Sequence, residues 1–167
     1  MPEIKILMAT FNGAAHMKPQ LSSLVDQEHD AWQLWVSDDG STDETLDHLA
    51  TFDREHPGRL AEVVDGPRNG SAANFLSLLS RPEMAGSWAA FADQDDVWMP
   101  HKLSAAVAQL APLKGQAAVY ASRSILTKAD LTELRPSRPF ERPLTFHNAV
   151  LQNVLAGNTI VMTPQMT

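Results

Sequence analysis

The chain has 167 residues, a formal net charge of −7 at pH 7 and no cysteine. This composition predicts one acidic globular domain and excludes disulfides and thiolate metal sites. The negative charge argues against a general nucleic-acid binder, which would present a basic face to phosphates. No apolar run approaches the ~20 residues of a membrane span, and no signal-peptide pattern opens the chain, so we expect a soluble, cytoplasmic protein.

The first half of the chain alternates strand-like and helical segments. Ile4–Thr10 is a continuous apolar run that ends at the turn signal "FNG", and residues 14–27 carry apolar side chains at helical spacing. "WQLWVSDDGS" repeats the pattern of an apolar strand followed by a polar turn. The next helix is predicted over 43–52, with Ser41 or Thr42 as its N-cap.

The alternation continues to about residue 126 and then weakens. "RLAEVVDG", "SWAAFADQ" and "QAAVYASRSIL" are predicted strands, "NGSAANFLSLLS" opens a helix, and "PHKLSAAVAQLAPL" is a helix with Pro100 at or near its first position. "TELRPSRPFERP" predicts an irregular basic loop. "FHNAVLQNVLAG" favours a helix, and "NTIVMT" favours a final strand.

This alternation predicts a parallel, doubly wound sheet. The polar clusters "TFNG", "SDDGS", "GPRNG" and "DQDD" each follow a strand-like run. Because the loops at the carboxyl ends of such strands form the binding crevice, we expect these clusters to converge on one rim.

The cluster "DQDD" brings three carboxylates together within four positions. In an extended segment Asp93 and Asp95 share a face, while Gln94 and Asp96 point elsewhere. Two carboxylates on one edge form the simplest site for a hard cation such as Mg²⁺ or Mn²⁺, which would relieve their repulsion. The alternative interpretation is a solvated acidic turn that caps the helix after Pro100.

Two further clusters carry groups suited to a nucleotide. "VSDDGSTDET" is typical of a turn with a helix cap. Capping does not require both Asp38 and Asp39, however. A carboxylate at this place could accept a hydrogen bond from a nucleobase N–H or a ribose hydroxyl. In "GPRNGSAANF", Arg68 and the helix N-terminus near Gly70 suit an anion, and Asn74 can bond hydroxyls or carbonyls. A Pro-Asn-Gly turn that only caps a helix explains the same residues.

Taken in order, "ILMATFNG", "VSDDGSTDET", "RNGSAANF" and "FADQDDVWMPHKL" resemble the family 2 glycosyltransferases, and "DQDDVW" resembles their bacterial rhamnosyltransferase-like branch. The resemblance covers about residues 3–163. It implies the α/β GT-A fold, a Rossmann-like three-layer sandwich of nucleotide-diphospho-sugar transferases with a mostly parallel central sheet. It also implies a nucleotide-diphosphate-sugar donor, Mg²⁺ or Mn²⁺, and inversion at the sugar carbon.

The resemblance assigns roles by position. Thr10 and Phe11 would lie beside the base, Asp39 would accept from a base N–H, and Asp38 would support the turn. The residues expected to bind the nucleotide sugar are Thr10, Phe11, Asp38, Asp39, Arg68, Asn74 and Asp93. Asp93 and Asp95 are the expected metal ligands, and Asp96 and Trp98 would shape the pocket, although a core role is favoured for Trp98.

We expect a single domain over 1–167, in which 1–110 bind the nucleotide sugar and the metal and 111–167 begin the acceptor-binding part. In the family the general base follows the segment that resembles "LAGNTIVMT". The chain ends at Thr167 before that point, so we expect a truncated domain without its base. His147 is the nearest titratable candidate, and a surface or satisfied core histidine is the favoured interpretation of it.

The expected partners are a dTDP- or UDP-linked sugar, with rhamnose a candidate, and a glycan or lipid-linked acceptor in cell-surface polysaccharide synthesis. Association with the inner face of the membrane is an alternative to a free cytoplasmic location. Two other functions stay open: a non-catalytic fragment that binds sugar nucleotides, and a nucleotidyltransferase, for which "TFNGAAHMKP" supplies only Lys18. A receiver domain is disfavoured because its acidic pair should follow the first strand.

Overall fold

The computed structural model describes residues 1–128, 130–139 and 155–167. Its strands are β1 (Ile4–Thr10), β2 (Trp32–Asp38), β3 (Leu60–Asp65), β4 (Trp88–Asp93), β5 (Val119–Ala121), β6 (Ile125–Thr127), β7 (Glu133–Pro136) and β8 (Ile160–Met162). Its α-helices are α1 (Ala14–Val25), α2 (Thr45–Glu55), α3 (Ser71–Leu79) and α4 (Lys102–Leu110). Short 3₁₀ turns cover Pro82–Met84, Ala111–Leu113 and Gly157–Thr159.

Six of these strands form one sheet in the order β3-β2-β1-β4-β8-β5. β1 to β4 pair in parallel, whereas β8 runs antiparallel to both β4 and β5. The predicted mostly parallel sheet is therefore confirmed, with one reversed strand inserted near an edge.

The two faces of the sheet are covered by different helices, which gives three layers. Ile4, Ile6 and Met8 of β1 belong to the core that also contains apolar side chains of α1, α2 and α4. Leu7 points to the other face and packs with Leu78 of α3. The continuous apolar run of β1 is explained by this double burial, which is typical of a central parallel strand.

The register of the sheet brings the carboxyl ends of four parallel strands level with one another. Thr10 pairs with Asp38, Asp38 pairs with Asp65, and Ala9 pairs with Asp93. The loops that follow these strands therefore start at the same edge, and the prediction that the polar clusters share one rim is confirmed.

Two predictions about the second half were wrong. The single strand predicted over "QAAVYASRSIL" is two strands, because β5 joins the main sheet while β6 pairs with β7 in a separate antiparallel hairpin. Part of the predicted irregular loop is therefore β7, whose Glu133–Pro136 bonds to Ile125–Thr127. The helix predicted over "FHNAVLQNVLAG", including His147, lies almost wholly outside the described residues.

The predicted N-cap of α2 was also wrong. The helix begins at Thr45, whereas the Ser41 hydroxyl donates to Asp38. The Asp43 carboxylate instead accepts from the Thr45 amide, at 3.1 Å. Ser41 is thus committed to the turn after β2, and the chain needs four more residues to enter the helix. In the part of the chain that the structure describes, no helix has the length and apolarity needed to cross a membrane.

Candidate functional site

A cleft of about 610 Å³ opens at the level carboxyl ends of the strands. Seven of the eight predicted site residues line it: Thr10, Phe11, Asp39, Arg68, Asn74, Asp93 and Asp95. They come from loops that are far apart in sequence and are brought together by the strand order. Asp38 is the exception, because it lies buried behind the cleft rather than in its lining.

Asp38 organises the turn that follows β2. Its carboxylate accepts from the amides of Gly40 and Ser41 and from the hydroxyls of Ser41 and Thr10, at 2.6–3.0 Å. Burial alone would raise the pKa of Asp38, but these hydrogen bonds outweigh it, and the pKa lies below its ordinary value. Asp38 is therefore an ionised support of the site, as expected of a residue that holds the turn.

Asp39 faces the cleft and is held by the loop after β3. Its Oδ1 accepts from the Arg68 amide at 2.9 Å, which fixes the carboxylate and leaves the second oxygen able to accept another donor. Gly66 makes room for this arrangement, because a Cβ there would lie 2.2 Å from Asp39 Oδ1 and 2.7 Å from Asn74 Oδ1. A side chain at Gly66 would push apart the two groups at this end of the cleft.

Asn74 links α3 to the end of β2. It is 2% exposed, and its Nδ2 donates to the Ser37 carbonyl at 3.0 Å. Its Oδ1 is buried and has no hydrogen-bond partner among the described residues. Asn74 therefore lies at the floor of the cleft, where its Nδ2 is held by a hydrogen bond and its Oδ1 can still accept one.

The loop between β1 and α1 has its backbone amides already occupied. The amides of Phe11, Asn12, Gly13 and Ala14 donate in turn to side-chain oxygens of Gln94, Ser41, Thr45 and Asp43. Two of them, Gly13 and Ala14, lie at the N-terminus of α1, where a helix would otherwise offer its amides to water or to an anion. The start of α1 and the loop before it are thus tied to the rim by structural contacts.

The acidic turn follows β4 and divides its side chains between two clefts. Asp93 and Asp95 line the first cleft, whereas Asp96 lines a second one, and Asp95 belongs to both. The alternation of an extended strand ends at Asp93, so Gln94 also reaches the first cleft rather than pointing away. Burial raises the pKa of Asp93 to about 6, helped by the neighbouring Asp96 and Asp95 carboxylates and opposed by Lys102.

The carboxylates of this turn suit a hard divalent cation whose coordination is completed by substrate phosphates and water. Within the described residues no group of three or more His, Cys, Asp or Glu side chains is arranged to hold a metal. Asp93 and Asp95 supply two carboxylates in one cleft, and Mg²⁺ is often held by one or two carboxylates together with substrate phosphates and water.

The second cleft, of about 450 Å³, lies on the other side of the acidic turn. Here the Asn158 side chain donates to Asp96, and the Lys102 ammonium donates to the Asn158 backbone carbonyl. Lys102 also lies 3.6 Å from the centroid of the Trp98 ring, which is itself buried in the main core. Burial lowers the pKa of Lys102 to about 7, against the opposing effect of Asp96 and Asp93. The core interpretation of Trp98 is confirmed.

Residues 5–166 match the sequence model described as "Glycosyl transferase family 2". The chain belongs to this family. The match spans all four parallel strands and both clefts, and it confirms the family indicated by the ordered motifs.

Several family relatives share sequence with this chain. The dTDP-rhamnosyl transferase RfbG of Shigella flexneri is 31% identical over 102 residues, which are 60% of this chain and 35% of RfbG. The UDP-Glc:alpha-D-GlcNAc-diphosphoundecaprenol beta-1,3-glucosyltransferase WfgD of Escherichia coli is 27% identical, over 64% of this chain and 40% of WfgD. The chain spans 30–40% of the length of the curated relatives it matches.

Solved structures confirm the fold class. Mannosyltransferase PcManGT from Pyrobaculum calidifontis, in complex with GDP-Man and Mn²⁺, superposes with a TM-score of 0.65 at 21% identity, over 98% of this chain and 44% of PcManGT. S. aureus TarS 1–349 in complex with UDP gives a TM-score of 0.56 at 21% identity, over 70% of this chain and 34% of TarS. At these identities the likeness concerns the fold.

Three polar residues that line the two clefts of this family 2 chain were not predicted from the sequence. Gln94 was expected to point elsewhere, and Lys102 and Asn158 were not singled out. The position of Gln94 between two candidate metal ligands could have indicated that it lies at the site. Lys102 and Asn158 meet across 56 residues, and neither local periodicity nor a short motif reports such a contact.

Proposed function

We propose that this chain forms the donor-binding region of a metal-dependent, inverting glycosyltransferase that acts in cell-surface polysaccharide synthesis. The observation that carries the proposal is the first cleft, in which Phe11 and Asp39 accompany the cation-suited pair Asp93 and Asp95. A nucleotide sugar needs both kinds of group, because its base is planar and polar at the edge while its diphosphate is anionic.

In this proposal the base lies against Phe11, whose side chain is 56% exposed, and its N–H donates to the free oxygen of Asp39. Arg68 contributes positive charge beside the same wall. Asp93 and Asp95 would hold Mg²⁺ or Mn²⁺, which would supply positive charge beside the diphosphate.

The donor we propose is a dTDP- or UDP-linked sugar. Both nucleotides carry a pyrimidine N–H that suits an accepting carboxylate. RfbG is named as a dTDP-rhamnosyl transferase and WfgD as a UDP-Glc transferase, which supports pyrimidine nucleotides and keeps rhamnose among the candidate sugars.

The division of labour along the chain follows the two clefts. The first cleft is lined by residues between Ala9 and Asp95, whereas the second also draws on residues between Tyr120 and Thr159. This supports a donor and metal part over 1–110 and the start of an acceptor part over 111–167, with a glycan or lipid-linked acceptor entering at the second cleft.

A nucleotidyltransferase is the weaker proposal. It would need a loop near the start of the chain with backbone amides available to a triphosphate. The four amides of residues 11–14 already donate to side chains of this chain, which argues against that use.

The test is isothermal titration of UDP and dTDP, with Mn²⁺ and with a chelator. We expect binding in Mn²⁺ and a loss of about tenfold or more in the chelator, because an unscreened carboxylate pair repels the diphosphate. Asp95→Asn should lose about as much, because it removes one of the two carboxylates proposed to hold the cation. Asp39→Ala should weaken the binding of both nucleotides without lowering the melting temperature. Asp53→Asn, on the exposed face of α2, is the matched control and should change neither. Equal affinity with and without Mn²⁺ would contradict the metal-dependent proposal.

A further inference from the structure

The side chain of Gln94 makes a two-point contact with the backbone of Phe11. Its Oε1 accepts from the Phe11 amide at 2.9 Å, and its Nε2 donates to the Phe11 carbonyl at 3.1 Å. The amide side chain thus replaces a neighbouring strand, in that it satisfies the donor and the acceptor of one residue together. The contact joins the turn after β4 to the loop after β1.

Gly13 is the steric counterpart of this contact. A Cβ at Gly13 would lie 2.3 Å from Gln94 Oε1 and 2.5 Å from its Cδ. The φ of Gly13 is −99°, a value open to any residue, so the glycine is required for space and not for conformation. Gln94 and Gly13 therefore form a matched pair in which the side chain of one fills the place left by the other.

The position of Gln94 gives the contact a functional meaning. It is flanked by Asp93 and Asp95, which line the first cleft with it, and its partner Phe11 lines the same cleft. The Phe11 ring is exposed, so packing of the ring contributes little to fixing its position. Its backbone is fixed by the Gln94 amide, so the acidic turn and the aromatic wall of the cleft are set at one spacing.

We propose that Gln94 is a positioning residue for the nucleotide sugar. Its side chain holds the acidic turn at a fixed distance from Phe11. This inference rests on the proposed function of the first cleft. It adds to that function the side chain that sets the distance between the bound cation and the base. A nucleoside diphosphate must span that spacing. Loss of the contact should therefore weaken the nucleotide while leaving both ends of the cleft chemically intact.

The test is a set of variants titrated with UDP and dTDP in Mn²⁺, with melting temperatures recorded for each. Gln94→Met keeps the length of the side chain and removes both hydrogen bonds, and we expect it to weaken the nucleotide by about tenfold. Mn²⁺ titrated alone should bind Gln94→Met as it binds the natural chain, because Asp93 and Asp95 are unchanged. A purely structural role would lower the melting temperature and leave the affinity of the folded protein unchanged.

Gly13→Ala tests the same contact from its other side. In the natural background its Cβ should displace Gln94 and weaken nucleotide binding to a similar extent. In Gln94→Ala the contact is already lost and the space is open, so Gly13→Ala should add little. A loss from Gly13→Ala that is as large in Gln94→Ala as in the natural chain would overturn the proposal.

The arms of this experiment separate the two proposals. If the natural chain binds neither UDP nor dTDP in Mn²⁺, the proposed function fails and the role of Gln94 fails with it. If the natural chain binds and Gln94→Met binds equally well, only the positioning role is overturned.

Discussion

At the scale of the residue, the two adjacent aspartates after β2 have different duties. Asp38 turns inward and accepts four hydrogen bonds, whereas Asp39 faces the cleft and accepts from the Arg68 amide. One carboxylate builds the turn so that the other can be presented at the rim. The doubled acidic residue in "SDDGS" is explained by this division.

Asp38→Asn should destabilise the protein by about 2 kcal/mol at pH 7, because an amide cannot accept all four hydrogen bonds that the buried carboxylate receives. The folded-state pKa of Asp38 is lowered, so its contribution is present above the unfolded pKa and is lost as pH falls through the folded one. The difference between the natural chain and the variant should therefore shrink in strong acid.

Urea denaturation at pH 7 and at several values below pH 4 measures this difference. Asp53→Asn, which removes an exposed carboxylate of α2, is the control and should leave the unfolding free energy nearly unchanged at pH 7. A difference for Asp38→Asn that grows as the pH falls would contradict the assignment of an ionised, hydrogen-bonded Asp38.

At the scale of the element, polar contacts close the base of the β6–β7 hairpin. The Arg123 guanidinium donates to the Ser137 carbonyl from Nε at 3.0 Å and also from Nη2. Ser124 adds a backbone bond to the Ser137 hydroxyl at 3.1 Å. Arg123, Leu131 and Glu133 line the second cleft, so the hairpin forms one of its walls.

Arg123→Ala should loosen this hairpin without affecting the first cleft. We expect faster amide hydrogen exchange in β6 and β7, because the contact closing the base of the hairpin is lost, and an unchanged affinity for UDP or dTDP. Lys128→Ala, at an exposed position near the tip of the hairpin, is the control and should leave the exchange rates unchanged. A parallel loss of nucleotide affinity in Arg123→Ala would show that the two clefts depend on each other.

The elements also show what the sequence could predict. β1, β2, β4 and α1 to α4 were found because each carries buried apolar side chains in a local pattern. β3 is exposed or half-buried along its length and shows a weaker strand pattern. β5 and β6 were merged because "QAAVYASRSIL" has no strong turn signal, and only pairing with distant strands separates them. The rim was predicted from strand ends, whereas the contact of Gln94 with Phe11 depends on tertiary geometry.

At the scale of the whole molecule, the sheet depends on a segment that comes late in the chain. Thr163 follows β8, is 2% exposed and holds β5 from two directions. Its amide donates to the Ala118 carbonyl at 3.0 Å, and its hydroxyl oxygen accepts from the Ala118 amide at 3.0 Å. The hydroxyl also donates to the Gln116 carbonyl at 2.8 Å.

Thr163→Val should lower the free energy of unfolding by about 2 kcal/mol, because it keeps the shape of the side chain and leaves the Ala118 amide without an acceptor. Denaturation followed by both tryptophan fluorescence and circular dichroism measures this loss and tests whether the sheet unfolds as one unit. Thr127→Val, on an exposed strand, is the control and should change stability by less than about 0.5 kcal/mol. An equal effect of the two substitutions would contradict the role assigned to Thr163.

The insertion of β8 between β4 and β5 also constrains the order of events during folding. β1 pairs with β2 across about 28 residues, as Ile4 with Trp32. β1 pairs with β4 across about 84 residues, as Ile4 with Trp88, and β4 pairs with β8 across about seventy, as Ala89 with Met162. Loop closure of those greater lengths is slow relative to local helix and strand formation. We therefore expect β1 to β3 to assemble first, and the edge of β4 stays exposed until β8 arrives. During synthesis on the ribosome, this open edge would be the part of the nascent chain most prone to pairing with another molecule.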